Sequence, residues 1–264
     1  MAKIRADLLL YNQGLVDSRE KAKRLIMEGK VLCGTKRIDK PGEQIEDFET
    51  LTINSDQIQY VSRGGLKLEK AIKKFNLNLS DFICADIGSS TGGFTHCMLI
   101  NGAKKVYSID VGYNQLDYKL RIDDRVIVLE RTNIRYLDNN LISDEIDFIS
   151  IDVSFISLQL VLPKAYEILK DGSYLVALIK PQFEAGKEKV GKNGIIRDPK
   201  VHAEVLNNTL SFAEKIGFSI QDLTYSPIKG TKGNIEFLVL LKKSSEPSID
   251  INIDSILKST DELE

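Results

Sequence analysis

The sequence predicts an α/β protein: a mostly parallel, doubly wound sheet of seven strands with its last strand antiparallel, and a small α+β domain ahead of it. Three observations carry this. From residue 82 onward, short apolar runs alternate with helical patterns. The first of these runs ends in a glycine turn that opens a helix, as a parallel strand-turn-helix unit requires. The last two runs are joined by too few residues for a helix, with Ser226-Pro227 and Gly230 between them, so they pair antiparallel and close the sheet.

Residues 1–58 read as a separate compact unit. Leu8, Leu9, Leu10 and Leu15 supply the apolar side of a first helix that exits at Gly14. Asp17 or Ser18 caps a second helix, with Ala22, Leu25 and Ile26 facing inward up to Gly29. Short strands follow at Val31-Leu32 and Leu51-Thr52-Ile53. On the second helix Arg19 and Lys23 are four apart on one face, with Lys21 and Arg24 on a neighbouring one, which suits phosphate contact. Residues 59–66 are expected to be a glycine-marked linker, leading into a helix through Ala71, Ile72 and Phe75. The larger domain, 67–243, holds strand-like runs at 82–87, 106–109, 126–129, 146–151, 174–179, 219–223 and 235–241. Residues 244–264, serine-rich and acidic, are expected to form a loosely ordered tail.

With 264 residues, 42% of them hydrophobic, the chain has material for a real core. No apolar run approaches the length of a membrane span and the first residues lack a signal-peptide pattern, so no membrane partner and a cytoplasmic location are expected. The three cysteines, Cys33, Cys84 and Cys97, have no CxxC spacing, and two histidines cannot build a zinc cluster, so neither disulfides nor a metal is expected. The net charge of −2 conceals an asymmetry: residues 1–40 carry ten Lys/Arg against five Asp/Glu, and residues 244–264 one Lys against six acids. The basic end is the candidate for a polyanion.

The glycine turn is Asp86-Ile87-Gly88-Ser89-Ser90-Thr91-Gly92-Gly93-Phe94. Gly88 permits the sharp turn, and Gly92 and Gly93 permit close backbone approach. Asp110, at the end of the next run, is placed to reach ribose hydroxyls. The spacing is not G-x-G-x-x-G and no pyrophosphate cradle is evident, so a cofactor with a ribose but no pyrophosphate fits better than a dinucleotide. Together with seven strands and an antiparallel last one, this favours S-adenosylmethionine and a Rossmann-like methyltransferase sheet. Asp86, Gly88, Ser89, Ser90, Thr91, Gly92, Gly93 and Asp110 are the candidate cofactor residues. At strand ends or rims, Asp152, Lys180, Glu236 and Lys67 can converge on one crevice. A hydroxyl attacking a sulfonium methyl group benefits from a base, and a lysine held by acids can serve.

Two resemblances add to this. Ser18-Arg19, Ala22, Ile26, Gly29-Lys30-Val31, Gly34 and Lys40-Pro41-Gly42 resemble the S4 RNA-binding module, with Cys33-Gly34 where Asn-Gly is more common. That resemblance implies RNA contact through Arg5, Arg19, Lys23 and Arg24, with Arg63 extending the path. The glycine turn, Asp110-Val111-Gly112-Tyr113-Asn114-Gln115-Leu116, Arg63 to Leu68, Glu130 to Arg135, Asp152 to Leu158 and Lys180 to Glu184 resemble the TlyA branch of the FtsJ-like RNA methyltransferases, over residues 1 to about 243. The resemblance implies an S-adenosylmethionine-dependent 2'-O-ribose methyltransferase acting on ribosomal RNA or ribosomal subunits, at cytidine, and adds Asn133 to the cofactor residues. It also implies a Lys-Asp-Lys-Glu tetrad: Lys180 as base, Asp152 and Glu236 positioning it, and Lys67 lowering its pKa or holding the target nucleotide.

Other expectations are narrower. Phe155 and Phe183 are placed either to stack on a base or to pack in the core, and His96 is expected to be structural. Lys187, Lys189, Lys192 and Arg197, around Gly186 to Gly194, are candidates to extend the RNA path, or to form a plain solvated loop. Carbon-five methylation needs a nucleophilic cysteine, and neither Cys84 nor Cys97 is well placed. Amine methylation usually shows an Asp/Asn-Pro-Pro-aromatic run, which Asp152-Val153-Ser154-Phe155 lacks. The alternatives left open are a non-catalytic RNA-binding or ribosome-assembly factor, and the haemolysin label that some relatives carry. The sequence is silent on oligomeric state.

Overall fold

A computed structural model describes residues 3–27, 29–34, 36–53 and 60–263. The chain divides into two units, 1–59 and 60–264. In the first, β1 (Lys3–Arg5) leads into α1 (Ala6–Asn12) and α2 (Arg19–Met27). β2 (Val31–Cys33), β3 (Lys36–Arg37), β4 (Gln44–Glu46) and β5 (Leu51–Ile53) complete the unit. β1 pairs antiparallel with β4, and β2 lies between β3 and β5. The core of this unit includes Leu9, Leu10, Ala22, Ile26, Val31 and Leu51. Val16, rather than the expected Leu15, turns inward, because α1 ends at Asn12 and the helical phase is lost before residue 15. Ser18 is the cap of α2, its Oγ accepting from Lys21 N–H at 3.2 Å, while Asp17 pairs with Lys21 Nζ at 2.8 Å.

The second unit opens with α3 (Gly64–Lys74). It continues through β6 (Ile83–Ile87), α4 (Gly93–Ile100), β7 (Lys105–Ile109), α5 (Tyr118–Arg121) and β8 (Val126–Leu129). Then come β9 (Ile146–Ile151), α6 (Leu162–Ile168), β10 (Leu169–Ile179), α7 (Pro181–Glu184) and α8 (Pro199–Lys215). β11 (Phe218–Tyr225), β12 (Phe237–Lys243) and α9 (Ile253–Ser259) complete it. The sheet order is β11-β12-β10-β9-β6-β7-β8. β12 runs antiparallel to both neighbours, so the last strand slots between β10 and β11 and leaves β11 at the edge. The central strands are mostly apolar because the sheet is buried on both faces: Ile149, Ile151, Leu175, Ala177 and Ile179 are buried on one, Phe148, Val176 and Leu178 on the other.

Two boundaries differ from expectation. Of the segment read as a linker, Gln59 lies outside the described residues, but residues 60–66 belong to the second unit: Tyr60 is buried and α3 begins at Gly64. A Cβ on Gly65 would lie 2.2 Å from the Tyr60 ring, so the glycines that suggested a flexible link instead admit a tyrosine against the helix. The terminal segment is not loose. Ile249 N–H bonds Ile220 O at 3.0 Å, Ser248 Oγ accepts from Ile220 N–H at 3.0 Å, and Ile251, Ile253, Ile256 and Leu257 pack on the core. Its acids had masked a row of isoleucines with an apolar surface to cover.

Candidate active site

The sheet topology gathers the chemistry at one edge. Ile87 of β6 is in register with Ile151 of β9, and Ile179 of β10 with Phe237 of β12. The residues one step beyond, Gly88, Asp152 and Lys180, together with Glu236 one step before β12, therefore emerge side by side. This is the crevice at which strand order reverses on either side of β6. Gly88 has φ +85°, and a Cβ there would sit 2.5 Å from Asp152 O, so only glycine lets the first turn touch the tip of β9.

Lys67 reaches the same crevice from α3. A Cβ on Gly93 would lie 2.8 Å from Gly65 N and 3.2 Å from Gly64 Cα, which is why α3 and α4 cross closely enough to bring Lys67 in. Its Nζ lies 2.7 Å from Glu236 Oε2 and 3.8 Å from Asp152 Oδ2. Lys180 Nζ lies 2.6 Å from Asp152 Oδ1 and donates to Ser154 Oγ at 2.9 Å. All four expected tetrad residues thus form one chain of alternating charge, Glu236–Lys67–Asp152–Lys180, with a net charge of zero. Glu236 is only 2% exposed and depends on Lys67 for its counter-charge. Glu236 does not reach Lys180 directly: it bonds Lys67 and, at 3.3 Å, Gln182 Nε2.

A cavity of about 470 Å³ opens on this chain, lined by Gly88, Ser89, Ser90, Thr91 and Gly93 on one side and Lys67, Asp152, Ser154 and Lys180 on the other. Arg63, Lys229 and Lys232 stand at its rim. The volume falls in the range of about 300–1,000 Å³ usual for cofactor clefts. Its loop wall offers backbone and small hydroxyls, which fits the close approach of a ribose.

Four of the expected cofactor residues are not part of the cavity lining. Asp86 is fully buried and accepts from Thr95 N–H at 2.8 Å, Thr95 Oγ1 at 2.6 Å and Ser150 Oγ at 3.2 Å. It caps the first turn of α4 from below, and burial pushes its carboxyl up to about 7 despite those donors. Gly92 has φ +92° and makes room for Leu116 and Leu120. Asp110 accepts from Ser90 N–H at 2.8 Å and Gly112 N–H at 2.7 Å, clamping the loop whose outer face lines the cavity. Asn133 caps a short turn, accepting from Arg135 N–H at 3.1 Å.

Sequence reasoning missed Ser154, Gln182, Glu184, Lys229 and Lys232. Glu184 accepts from Ser157 Oγ at 2.6 Å and Leu158 N–H at 2.8 Å, tying α7 to the loop that carries Asp152, Ser154 and Phe155. Burial pushes its carboxyl upward. The only signal for Ser154, Gln182 and Glu184 was their place inside the longer motifs. Phe155 is 91% exposed at φ +63°, a conformation that bulky residues seldom adopt, with Phe183 behind it at 4.9 Å between ring centroids. Core packing is thereby ruled out for Phe155. His96 accepts Val61 N–H through Nδ1 at 3.1 Å and meets the Tyr60 ring edge-on, and burial lowers its pKa, so it is neutral and structural. Cys84 and Cys97 are buried, and burial pushes both thiols up, Cys97 to about 12, which leaves no thiolate for carbon-five chemistry. Among the loop cations, Lys189 pairs with Glu204 and Arg197 is exposed outside the cavity; the side chains of Lys187 and Lys192 lie outside the described residues.

In the first unit, Arg5 and Arg19 converge on Asp7, which is fully buried. Arg5 donates to both carboxylate oxygens at 3.0 and 3.1 Å and Arg19 to one at 3.2 Å. Burial works to raise Asp7, and the two guanidiniums more than reverse it, holding the carboxyl below its ordinary range. Lys23 is half-buried on α2 and Arg24 exposed.

The profile of the FtsJ-like methyltransferases matches residues 60–243 and that of the S4 domain residues 4–51. The candidate rRNA methyltransferase YqxC of Bacillus subtilis is 55% identical over 90% of this chain and 85% of its own. The 16S/23S rRNA (cytidine-2'-O)-methyltransferase TlyA of Mycobacterium tuberculosis is 38% identical over 94% of this chain and 92% of its own. A solved structure of a candidate haemolysin from Streptococcus thermophilus is 50% identical, covers 99% of this chain and 96% of its own, and superposes with a TM-score of 0.79.

Proposed function

Because the chain belongs to the FtsJ-like methyltransferase family, with an S4 domain ahead of the catalytic unit, we propose that it is a 2'-O-ribose methyltransferase acting on cytidine in ribosomal RNA. The observation that carries the reading is the Lys180–Asp152 pair, 2.6 Å apart, on the wall of the cavity opposite the glycine loop. Gly88 to Thr91 and Gly93 would hold S-adenosylmethionine, which would supply an electrophilic methyl group.

The residues of the chain do the rest. A neutral hydroxyl is a poor nucleophile, so Lys180 Nζ takes the 2'-hydroxyl proton as the oxygen attacks. Asp152 neutralises the ammonium that results, and Ser154 Oγ fixes its orientation by accepting one of its hydrogens. Lys67 balances Glu236 and Asp152, and Glu236 holds Lys67, so Glu236 acts on the base through two partners. Asp110 holds the glycine loop in place by accepting from Ser90 N–H. Phe155, backed by Phe183, offers a π-face to the target base, which suits an unstacked nucleotide. Arg5, Arg19, Lys23, Arg24 and Arg63 supply cations for the phosphates. A ribosomal RNA substrate accords with a cytoplasmic enzyme. Among the described residues no helix is long and apolar enough to cross a membrane, and nothing in the site supports pore formation.

The test is ribose-methylation mapping of ribosomal RNA from cells with and without the gene, complemented with wild type or Lys180→Ala. A cytidine 2'-O-methyl group should vanish on deletion and return only with wild type. Purified Lys180→Ala should lose on the order of 10²–10⁴-fold in kcat with S-adenosylmethionine affinity near normal. A modification map unchanged by deletion would sink the reading.

A further inference from the structure

Helix α3 and its cap carry more cations than the active site uses. Arg63, Lys67, Lys70 and Lys74 recur at intervals of four, three and four, which places them in one stripe along the helix. The stripe spans about 16 Å, at about 1.5 Å per residue. Its first two members line the catalytic cavity. The next two line a second cavity, also about 470 Å³, bounded by Leu66, Glu69, Lys70, Lys73, Lys74 and Pro227. The two cavities are lined by neighbouring residues on both walls: Leu66 and Lys67 on α3, Pro227 and Ile228 on the loop before β12. That loop adds Lys229 and Lys232 to the catalytic end.

The charge along the groove is net positive. In the distal half the acid Glu69 is bound to Lys73 at 2.7 Å, and Lys70 and Lys74 carry its lining to a net positive charge. Lys70 Nζ lies 3.3 Å from the centroid of the Tyr225 ring, so its position is fixed by a cation–π contact. A row of cations beside apolar and aromatic side chains, next to the catalytic cavity, matches an RNA strand better than a protein surface. We propose that this groove, from Lys67 to Lys74, carries the phosphate backbone of the RNA strand flanking the target nucleotide, with Lys70 and Lys74 as its distal phosphate contacts. The proposal rests on the RNA methyltransferase reading above.

The test measures binding of a ribosomal RNA transcript by the full chain at several salt concentrations. Wild type is compared with Lys70→Gln/Lys74→Gln and with Lys258→Gln, which removes one cation from α9. The double variant should bind RNA on the order of tenfold more weakly, with a slope of log Kd against log salt shallower by about 1.5. Its S-adenosylmethionine affinity and thermal midpoint should stay unchanged. A Kd and slope equal to those of Lys258→Gln overturn the proposal. So does a weaker Kd with an unchanged slope, which would mark lost packing on Tyr225. Methyl transfer by the wild type is scored separately: its absence on every ribosomal RNA substrate overturns the enzymatic reading, while the binding arm still decides the groove.

Discussion

At the scale of single residues, the active-site motifs contain two kinds of acid that the sequence presents alike. Asp152 and Glu236 face the cavity chain and are held by lysines, whereas Asp86 lies beneath the loop and is held by neutral donors. That difference gives a pH test. Asp86 is pushed up to about 7, so the folded state binds its proton more tightly than the unfolded chain does, whose carboxyl titrates near about 4. Its contribution to stability is complete below that lower value and is lost as pH rises through about 7. Asp86→Asn keeps an acceptor for Thr95 and offers an amide to Ser150, but cannot ionise. Denaturant titrations should show the wild type losing up to about 4 kcal/mol against Asp86→Asn between pH 4 and 7.5. Parallel stability curves would show that the Thr95 and Ser150 donors keep Asp86 ionised. The burial that sets this apart was not legible: Asp-x-Gly after a strand reads as a cofactor acid until the side chain is seen to point into the core.

At the scale of elements, the close approach of α3 and α4 shapes the site. Gly64 and Gly65 on one helix and Gly93 on the other leave no space between backbones, and the crossing delivers Lys67 to Glu236 and Asp152. Gly93→Ala places a methyl group 2.3 Å from Ser62 Oγ and 2.8 Å from Gly65 N, so a helix must move. We expect a cost of about 1–3 kcal/mol in thermal or chemical denaturation and a larger fall in methyl transfer than in stability, because Lys67 is carried off its partners. Activity matching the wild type at a temperature well below the transition would show that the crossing does not set the site. The sequence marked both glycine pairs but assigned one to a linker and the other to the cofactor; only their contact shows a shared purpose.

At the scale of the molecule, the sheet order decides which motifs meet, and the chain end helps to hold the sheet. Ile251, Ile253, Ile256 and Leu257 cover the β11 and α8 side, and residues 248–249 bond to Ile220. Ending the chain after Ser244 should therefore lower stability by on the order of 2–4 kcal/mol, measured by denaturation, while methyl transfer persists below the new midpoint because no tail residue lines the cavity. A neutral truncation would restore the picture of a loose tail. The alternation of apolar runs and helices, the antiparallel last strand and the basic first unit were determined by the sequence alone, because periodicity, turn chemistry and composition are local; Lys67, Asp152, Lys180 and Glu236 were singled out by their resemblance to family motifs. Tertiary structure decided the rest: that Asp86 is buried beneath the loop and Gly92 makes room for two leucines, that Glu236 pairs with Lys67 and not with Lys180, that Lys180 bonds Ser154, that Phe155 faces outward and that the acidic tail is anchored. Each of those depends on burial or on a contact between segments far apart in the chain, and neither is encoded in local spacing.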